Sequence, residues 1–337
     1  MAYVIYVLKR CALLLLVILG VVTLTFFVSH VLPADPARLS GGIRARPEQV
    51  EALRAKLNLD KPILTQYWLY LRGLSRGDLG TSVRTEQPVS RDLLTYFPAT
   101  LELTFSAVML AMCVGIPLGV LSATSRRRFF DFGVRTFSVG AVSIPSFWLG
   151  LMLQLVFYMN LNLLPCQGRL SPFVAPPSHT TGLYVLDSLL AWNGAALVNS
   201  LQHLVLPTLA LGAGSLAVMT RMTRSSVLEV LRTDYVQTAW AKGLSKQAVL
   251  LKHVLRNALL AISTVIGLQI GALLAGSIPI EVVFSWPGVG SYAAKAITFV
   301  DFNAILGVTI ISAVAYAVLN LMIDLLYLSI DPRIRYV

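Results

Sequence analysis

Residues able to do chemistry are sparse in this chain of 337, and their spacing excludes more than it offers. The four histidines, His30, His179, His203 and His253, form no H-E-x-x-H pair, and neither G-x-S-x-G nor C-x-x-C occurs. Metal-assisted and serine-nucleophile catalysis therefore lack their residues. No catalytic residue and no metal ligand is assigned, and a membrane-embedded enzyme stays only as a distant alternative. A nucleotide motor needs G-x-x-x-x-G-K-[ST], whose backbone amides cradle phosphate, yet the chain contains no Gly-Lys pair. Any ATPase must therefore be another polypeptide, and the chain itself is expected to bind no cofactor.

The other residues of interest are polar groups set in apolar runs, where they are costly and therefore informative: Gln154, Gln269, Asn320 and Asp324. One reading is the lining of a pathway. The other is structural pairing, since Asn320 and Asp324 share a helix face at four-residue spacing and Asp324 lies near a run's end, within reach of a loop arginine. Gln202 and His203 sit at the mouth of a run and read as hydrogen-bonded surface residues. Gly115 with Gly119, and Gly267 with Gly271, read as small-residue contacts between helices.

The elements that must position these residues are membrane spans. The chain is 56% hydrophobic and 13% charged, the latter about half the share of soluble proteins. Its apolar residues gather in six runs: Cys11 to Val31, Ala99 to Thr124, Val134 to Met159, a short one from Leu204 to Met219 carrying Pro207, Leu259 to Ile280, and Ala304 to Leu328. A helix needs roughly 20 such residues to cross hydrocarbon. The first run exceeds a signal peptide's apolar core and no small-x-small site follows it, so it is expected to stay as a helix. Cys11, Cys113 and Cys166 give no disulfide framework and read as packing residues.

Six spans put both termini on one side. Fifteen Lys and Arg fall on that side, among them Lys9, Arg10, Arg126 to Arg128 and Arg221 to Arg256, whereas the two short opposite loops hold only Arg169 and Lys295. The positive-inside rule makes the basic side, with both termini, cytoplasmic. The net charge of +11 then reflects orientation and anionic headgroups, with no nucleic-acid partner.

Outside the spans, Pro47, Glu48 and Glu51 precede Val50, Leu53 and Leu57 at helical spacing, which predicts a short amphipathic helix in the extracytoplasmic segment. The Pro- and Gly-rich residues 160–200 read as an outer loop with one short helix, and FSWPGVG as a turn with Trp286 at headgroup level or a gate. The organisation expected is a first helix plus extracytoplasmic segment over residues 1–98, then a five-helix core over 99–337.

The stretch DYVQTAWAKGLSKQAVLLKHVLRNAL, 234–259, is the charged exception. Asp234 can cap a first helix, Gly243 can end it in the left-handed conformation, and Ser245 can cap a second. In that second helix Ala248, Leu251, Val254, Leu255 and Ala258 trace an apolar face. Pattern alone leaves two uses open: a lipid-binding interfacial helix and a rigid knob for a soluble partner.

The stretch resembles the E-A-A-x-x-x-G signature of ATP-binding-cassette importer permeases, with Gln237, Thr238, Ala239 and Gly243 at its positions. Gln and Thr depart from the general pattern, and His253 to Arg256 stand where I-x-L-P would follow. The wording AKGLS and LLKHVLRNAL is closer to the dipeptide, oligopeptide and nickel permeases, a likeness that extends through LNLDKP, GDLGTS, PATLELT, SIPSFWLG, VFSWPGVG and YLSIDPRIRY. The resemblance implies an all-α, six-span type I permease fold in the bacterial cell membrane. It also implies a homologous second permease, cytoplasmic ATPase subunits, an extracytoplasmic solute-binding protein and alternating access. It makes 234–244 the coupling helix, with Asp234, Tyr235, Gln237, Thr238, Ala239, Lys242, Gly243 and Leu244 toward the ATPase, Ala239 and Gly243 allowing close approach. Short peptides are the expected cargo, with nickel or another small solute as the alternative.

Overall fold

The computed structural model describes residues 2–31, 46–56, 60–125, 127–178 and 180–330, apart from the side chains of 2–9, 28–31, 49, 53, 56, 260 and 323–330. Twelve helices follow one another among these residues: α1 (Ala2–Val31), α2 (Pro47–Lys56), α3 (Ile63–Leu74), α4 (Val89–Thr124), α5 (Arg128–Ser143), α6 (Ser146–Asn160), α7 (Tyr184–Leu190), α8 (Gly194–Leu231), α9 (Asp234–Ala241), α10 (246–283), α11 (Val289–Thr298) and α12 (Phe302–Ile330). The sole strand-like pairing among them is a bridge between Thr81 and Pro88. The regular structure of the described residues is otherwise all helical. Five helices are long and apolar enough to cross a membrane, and α5 with α6 makes a sixth if the bent pair is one span.

Three spans differ from their sequence reading, each for a backbone reason. The third is broken: Pro145 has no N–H to continue the ladder and drives Ile144 to extended backbone (φ −86°, ψ 124°), so α5 and α6 meet at 103°. The fourth is not short. α8 runs 38 residues with Pro207 inside it, capped by the Asn193 side chain accepting from the Ala196 N–H. At 1.5 Å per residue it spans roughly 57 Å, so Gln202, His203, Arg221 and Arg224, which read as lying outside the apolar run, are carried by the same helix. The second starts ten residues early, because Pro98 sits within α4 and does not open it.

Packing divides the chain into two units. The first holds 1–98 with 287–318, whereas sequence alone leaves 287–318 with the later helices. Here Phe26 of α1 packs on Tyr67 and Tyr70 of α3, and Thr23 Oγ1 shares a 2.6 Å hydrogen bond with the Tyr67 hydroxyl. Val89 and Leu93 pack with Val289, Tyr292, Ala296 and Val308. The GDLGTS motif forms a turn through left-handed Gly77 and Gly80, and Ser82 Oγ donates to the buried Asp301 at 2.5 Å. Asn303 closes the turn by donating to the Thr81 carbonyl. Asp92 accepts from Thr85 and from the Tyr292 hydroxyl. Leu53's side chain and Leu57, on the expected face of α2, lie outside the described residues.

The second unit, 99–286 with 319–337, is built on α8. Glycine sets its closest crossings. A Cβ on Gly115 would lie 3.0 Å from the Leu216 carbonyl, and one on Gly119 only 2.6 Å from the Thr220 carbonyl. The small-residue pair thus brings α4 onto α8, as its spacing indicated. Two apolar clusters fill the unit, one around Leu103, Leu206, Ile280, Phe284 and Trp286, the other around Met219, Val227, Val236, Val254 and Ile262.

Candidate functional site

The site singled out by sequence, residues 234–244, folds as one short helix seated on the second cluster. Thr233, not Asp234, occupies the cap position, and its hydroxyl donates back to the Val230 carbonyl. Asp234 is the first helical residue, where its charge complements the positive helix end. At the other end Gly243 has φ +77°, the left-handed turn its identity indicated. Ser245 then accepts from the Ala248 N–H as the next helix starts.

The two sides of α9 differ in kind. Val236 and Ala239 are buried in the second cluster, Ala239 to 5% exposure. Its small side chain therefore lets α9 sit close against this chain's own core. Asp234, Tyr235, Gln237, Thr238, Lys242, Gly243 and Leu244 are exposed. Two of these are also engaged locally: Gln237 Nε2 donates to the Leu231 carbonyl at 3.2 Å, tying α9 to the end of α8, and Thr238 Oγ1 donates to the Asp234 carbonyl at 2.9 Å.

The apolar face expected after α9 shifts. Leu251 is 62% exposed, while Val249, Val254, Ala258 and Ile262 are buried. Residues Val249–Leu255 form a wider π-helical turn, which brings residues five apart onto one side. Val249 and Val254 thus align where a uniform α-helix would have aligned Ala248 and Leu251. His253 is half-buried within this turn.

Of the candidate pathway residues, the two glutamines are each engaged in hydrogen bonds between segments. Gln154 uses its amide to donate to the Cys166 and Val283 carbonyls at 3.0 and 3.1 Å. Gln269 accepts from Ser215 Oγ at 2.9 Å, joining α10 to α8. Gln269 lies fourteen residues from Val283 on α10, roughly 21 Å along the axis, so the two glutamines act at different levels. Asn320 is half-buried on α12, and the side chain of Asp324 lies outside the described residues. His203 is buried, not at the surface, with Nδ1 bonded to the Asn199 carbonyl.

Polar contacts that sequence reading missed lie in the middle of α4, at Glu102. Glu102 accepts from Arg169 Nε at 3.2 Å and Nη2 at 2.5 Å, and from the Val185 N–H at 2.8 Å. Arg169 also donates to the Gly182 carbonyl and lies 3.8 Å over the Tyr184 ring. Trp286 belongs to the same core: it is 1% exposed and donates to the Ala99 carbonyl, in place of the headgroup position expected. Ser285 at φ +47° folds the chain back so that the indole turns inward. The signal available was Glu102 itself, a charge inside an apolar run opposite one lone loop arginine.

Asp187, at the start of α7, is held by neighbouring donors. Burial alone would push its carboxyl up, but the Thr181 hydroxyl and the N–H groups of Thr181 and Gly182 donate to it and hold it below the usual carboxylate range.

Comparison with known proteins comes to bear on this arrangement. The family described as binding-protein-dependent transport system inner membrane component matches residues 115–336, and its N-terminal counterpart matches 3–104. The chain is 47% identical to the probable D,D-dipeptide transport system permease protein DdpB of Escherichia coli K12, covering 97% of this chain and 96% of that one. It is 42% identical to the dipeptide transport system permease protein DppB of Alkalihalophilus pseudofirmus, and 38% identical to the glutathione transport system permease protein GsiC of Salmonella choleraesuis, each over 98% of this chain and 99% of the other.

Proposed function

The chain belongs to the family of binding-protein-dependent transport system inner membrane components, and from that premise we propose that it is a peptide-importing permease subunit. It is a multi-pass membrane protein and a transport subunit, not an enzyme. Membership implies ATPase and binding-protein partners. In this reading it pairs with a homologous second permease and forms half of a pathway that opens alternately to each side, with both termini cytoplasmic and ATP and Mg held by the ATPases. Short peptides are the cargo, and the observation that carries this is end-to-end likeness to permeases named for dipeptides and glutathione.

The geometry supports a mechanism for coupling. α9 is anchored through Val236, Ala239 and the Gln237 bond, so a shift of α9 would act on the end of α8. Its opposite side offers Tyr235, Lys242 and Leu244 to a cleft on the ATPase. ATP-driven closure of the ATPases would move α9, and α8 would carry the displacement across the membrane. Dense packing transmits such shifts because close-packed interiors deform little.

The test is uptake by proteoliposomes holding both permeases and the ATPases, supplied with the cognate binding protein. ATP-dependent entry of labelled dipeptide is expected. Entry of nickel without peptide would overturn the cargo, and purification without an ATPase would overturn the subunit role.

A further inference from the structure

α5 lies along α8, carries an ion pair near its base and ends at a sharp break. Of its side chains only Ser138 is buried, none joins either apolar cluster of its unit, and Phe129, Phe132 and Phe137 are exposed. Its backbone runs close along α8, but few of its side chains are buried there. One carboxylate adds polar contacts. Asp131 Oδ1 accepts from Arg224 Nε at 2.6 Å and from Ser122 Oγ at 2.5 Å, and its Oδ2 accepts from Arg224 Nη2 at 2.9 Å. Arg135, one turn on, adds a looser contact at 3.3 Å. A bidentate arginine–carboxylate pair fixes direction as well as distance, and both partners are largely shielded from solvent. At its far end α5 stops at Pro145, where the chain turns through 103° into α6.

Arg224 stands on α8 seven residues before Leu231, whose carbonyl receives the Gln237 amide of α9. Val227, between them, shares a buried cluster with Val236 and Ala239. A continuous path of close contacts thus runs from α9 through the last two turns of α8 to the base of α5. We infer that Asp131 and Arg224 are a positioning pair that makes α5 a lever: displacement of α9 moves the base of α5, and the break at Pro145 lets it turn relative to α6. Arg135 is exposed and spends its charge mostly on solvent, so the pair, not the wider cluster, carries the role. This rests on the reading of α9 as the ATPase contact.

The test measures peptide imported per ATP hydrolysed by the full complex in proteoliposomes, with Asp131→Asn, Arg224→Gln and the double variant. Each single variant is expected to lower that ratio about tenfold, a typical coupling between sites, with basal ATP hydrolysis and the yield of assembled complex unchanged. The double variant should lose no more than either single one, because both remove the same contact. Wild-type stoichiometry in Asp131→Asn, or losses that multiply in the double variant, overturns the pair. Should the neutral variants fail to assemble, Asp131→Glu and Arg224→Lys keep the charges while spoiling the fork. An intermediate ratio is then expected, and a wild-type ratio in both overturns the pair. A wild-type complex that hydrolyses ATP without importing peptide would instead count against the proposed function.

Discussion

Arg169 reaches across from the loop before α7 and places two nitrogens on the Glu102 carboxylate of α4, both side chains only 7% exposed. The spare Nη2 capacity goes to the Gly182 carbonyl and the spare Glu102 oxygen takes the Val185 N–H, so both carboxylate oxygens are engaged where they lie. Removing one partner strands the other without solvent. Arg169→Ala is expected to cost about 3–5 kcal/mol, and Glu102→Ala a similar amount. Thermal unfolding of the purified complex in detergent checks this. A double replacement by apolar residues should cost less than either single change.

Gly119 and Gly140 form a matched contrast. A Cβ at Gly119 meets backbone, the Thr220 carbonyl at 2.6 Å, whereas one at Gly140 meets nothing within 4 Å. Gly119→Ala should therefore destabilise by about 1–3 kcal/mol through forced separation of α4 and α8. Gly140→Ala should be neutral or gain about 0.5–1 kcal/mol from helix propensity. Equal melting shifts for the two would contradict this account of the crossing.

α9 separates packing from docking. Ala239→Trp pushes into the buried cluster and should lower the melting temperature, while Lys242→Glu, on the exposed side, should leave melting unchanged and weaken recovery of the ATPase on copurification. Gly243 has free space for a Cβ but holds φ +77°, so Gly243→Ala carries a backbone cost of about 1–2 kcal/mol. Gly243→Asn should recover part of it, since Asn tolerates this conformation.

Asp187 gives stability a dependence on acid. Its carboxyl is lowered in the folded chain, so the stabilisation is fully present above the unfolded value of about 3.9 and is lost as pH falls through the lower folded value. Asp187→Asn should be less stable at pH 7. The difference from wild type should then shrink on acidification below about pH 4. A gap that stays constant with pH would assign the loss to packing alone.

The spans, the basic loops and the absence of a nucleotide motif were legible in the residues themselves, because crossing hydrocarbon demands long apolar runs and binding phosphate demands a particular glycine loop. The left-handed Gly243 and the Gly115 and Gly119 contact were legible for a similar local reason: glycine meets those requirements at the lowest cost. Tertiary structure decided the rest. Whether Pro145 breaks a span while Pro98 and Pro207 do not depends on what surrounds the missing hydrogen bond. Which side of α9 is buried, where the π turn moves the apolar face of α10, and that Glu102 and Asp131 find their arginines 67 and 93 residues away, all rest on contacts between segments far apart in the chain. Periodicity records a residue's neighbours along one helix, and a buried charge is settled by its neighbours in space.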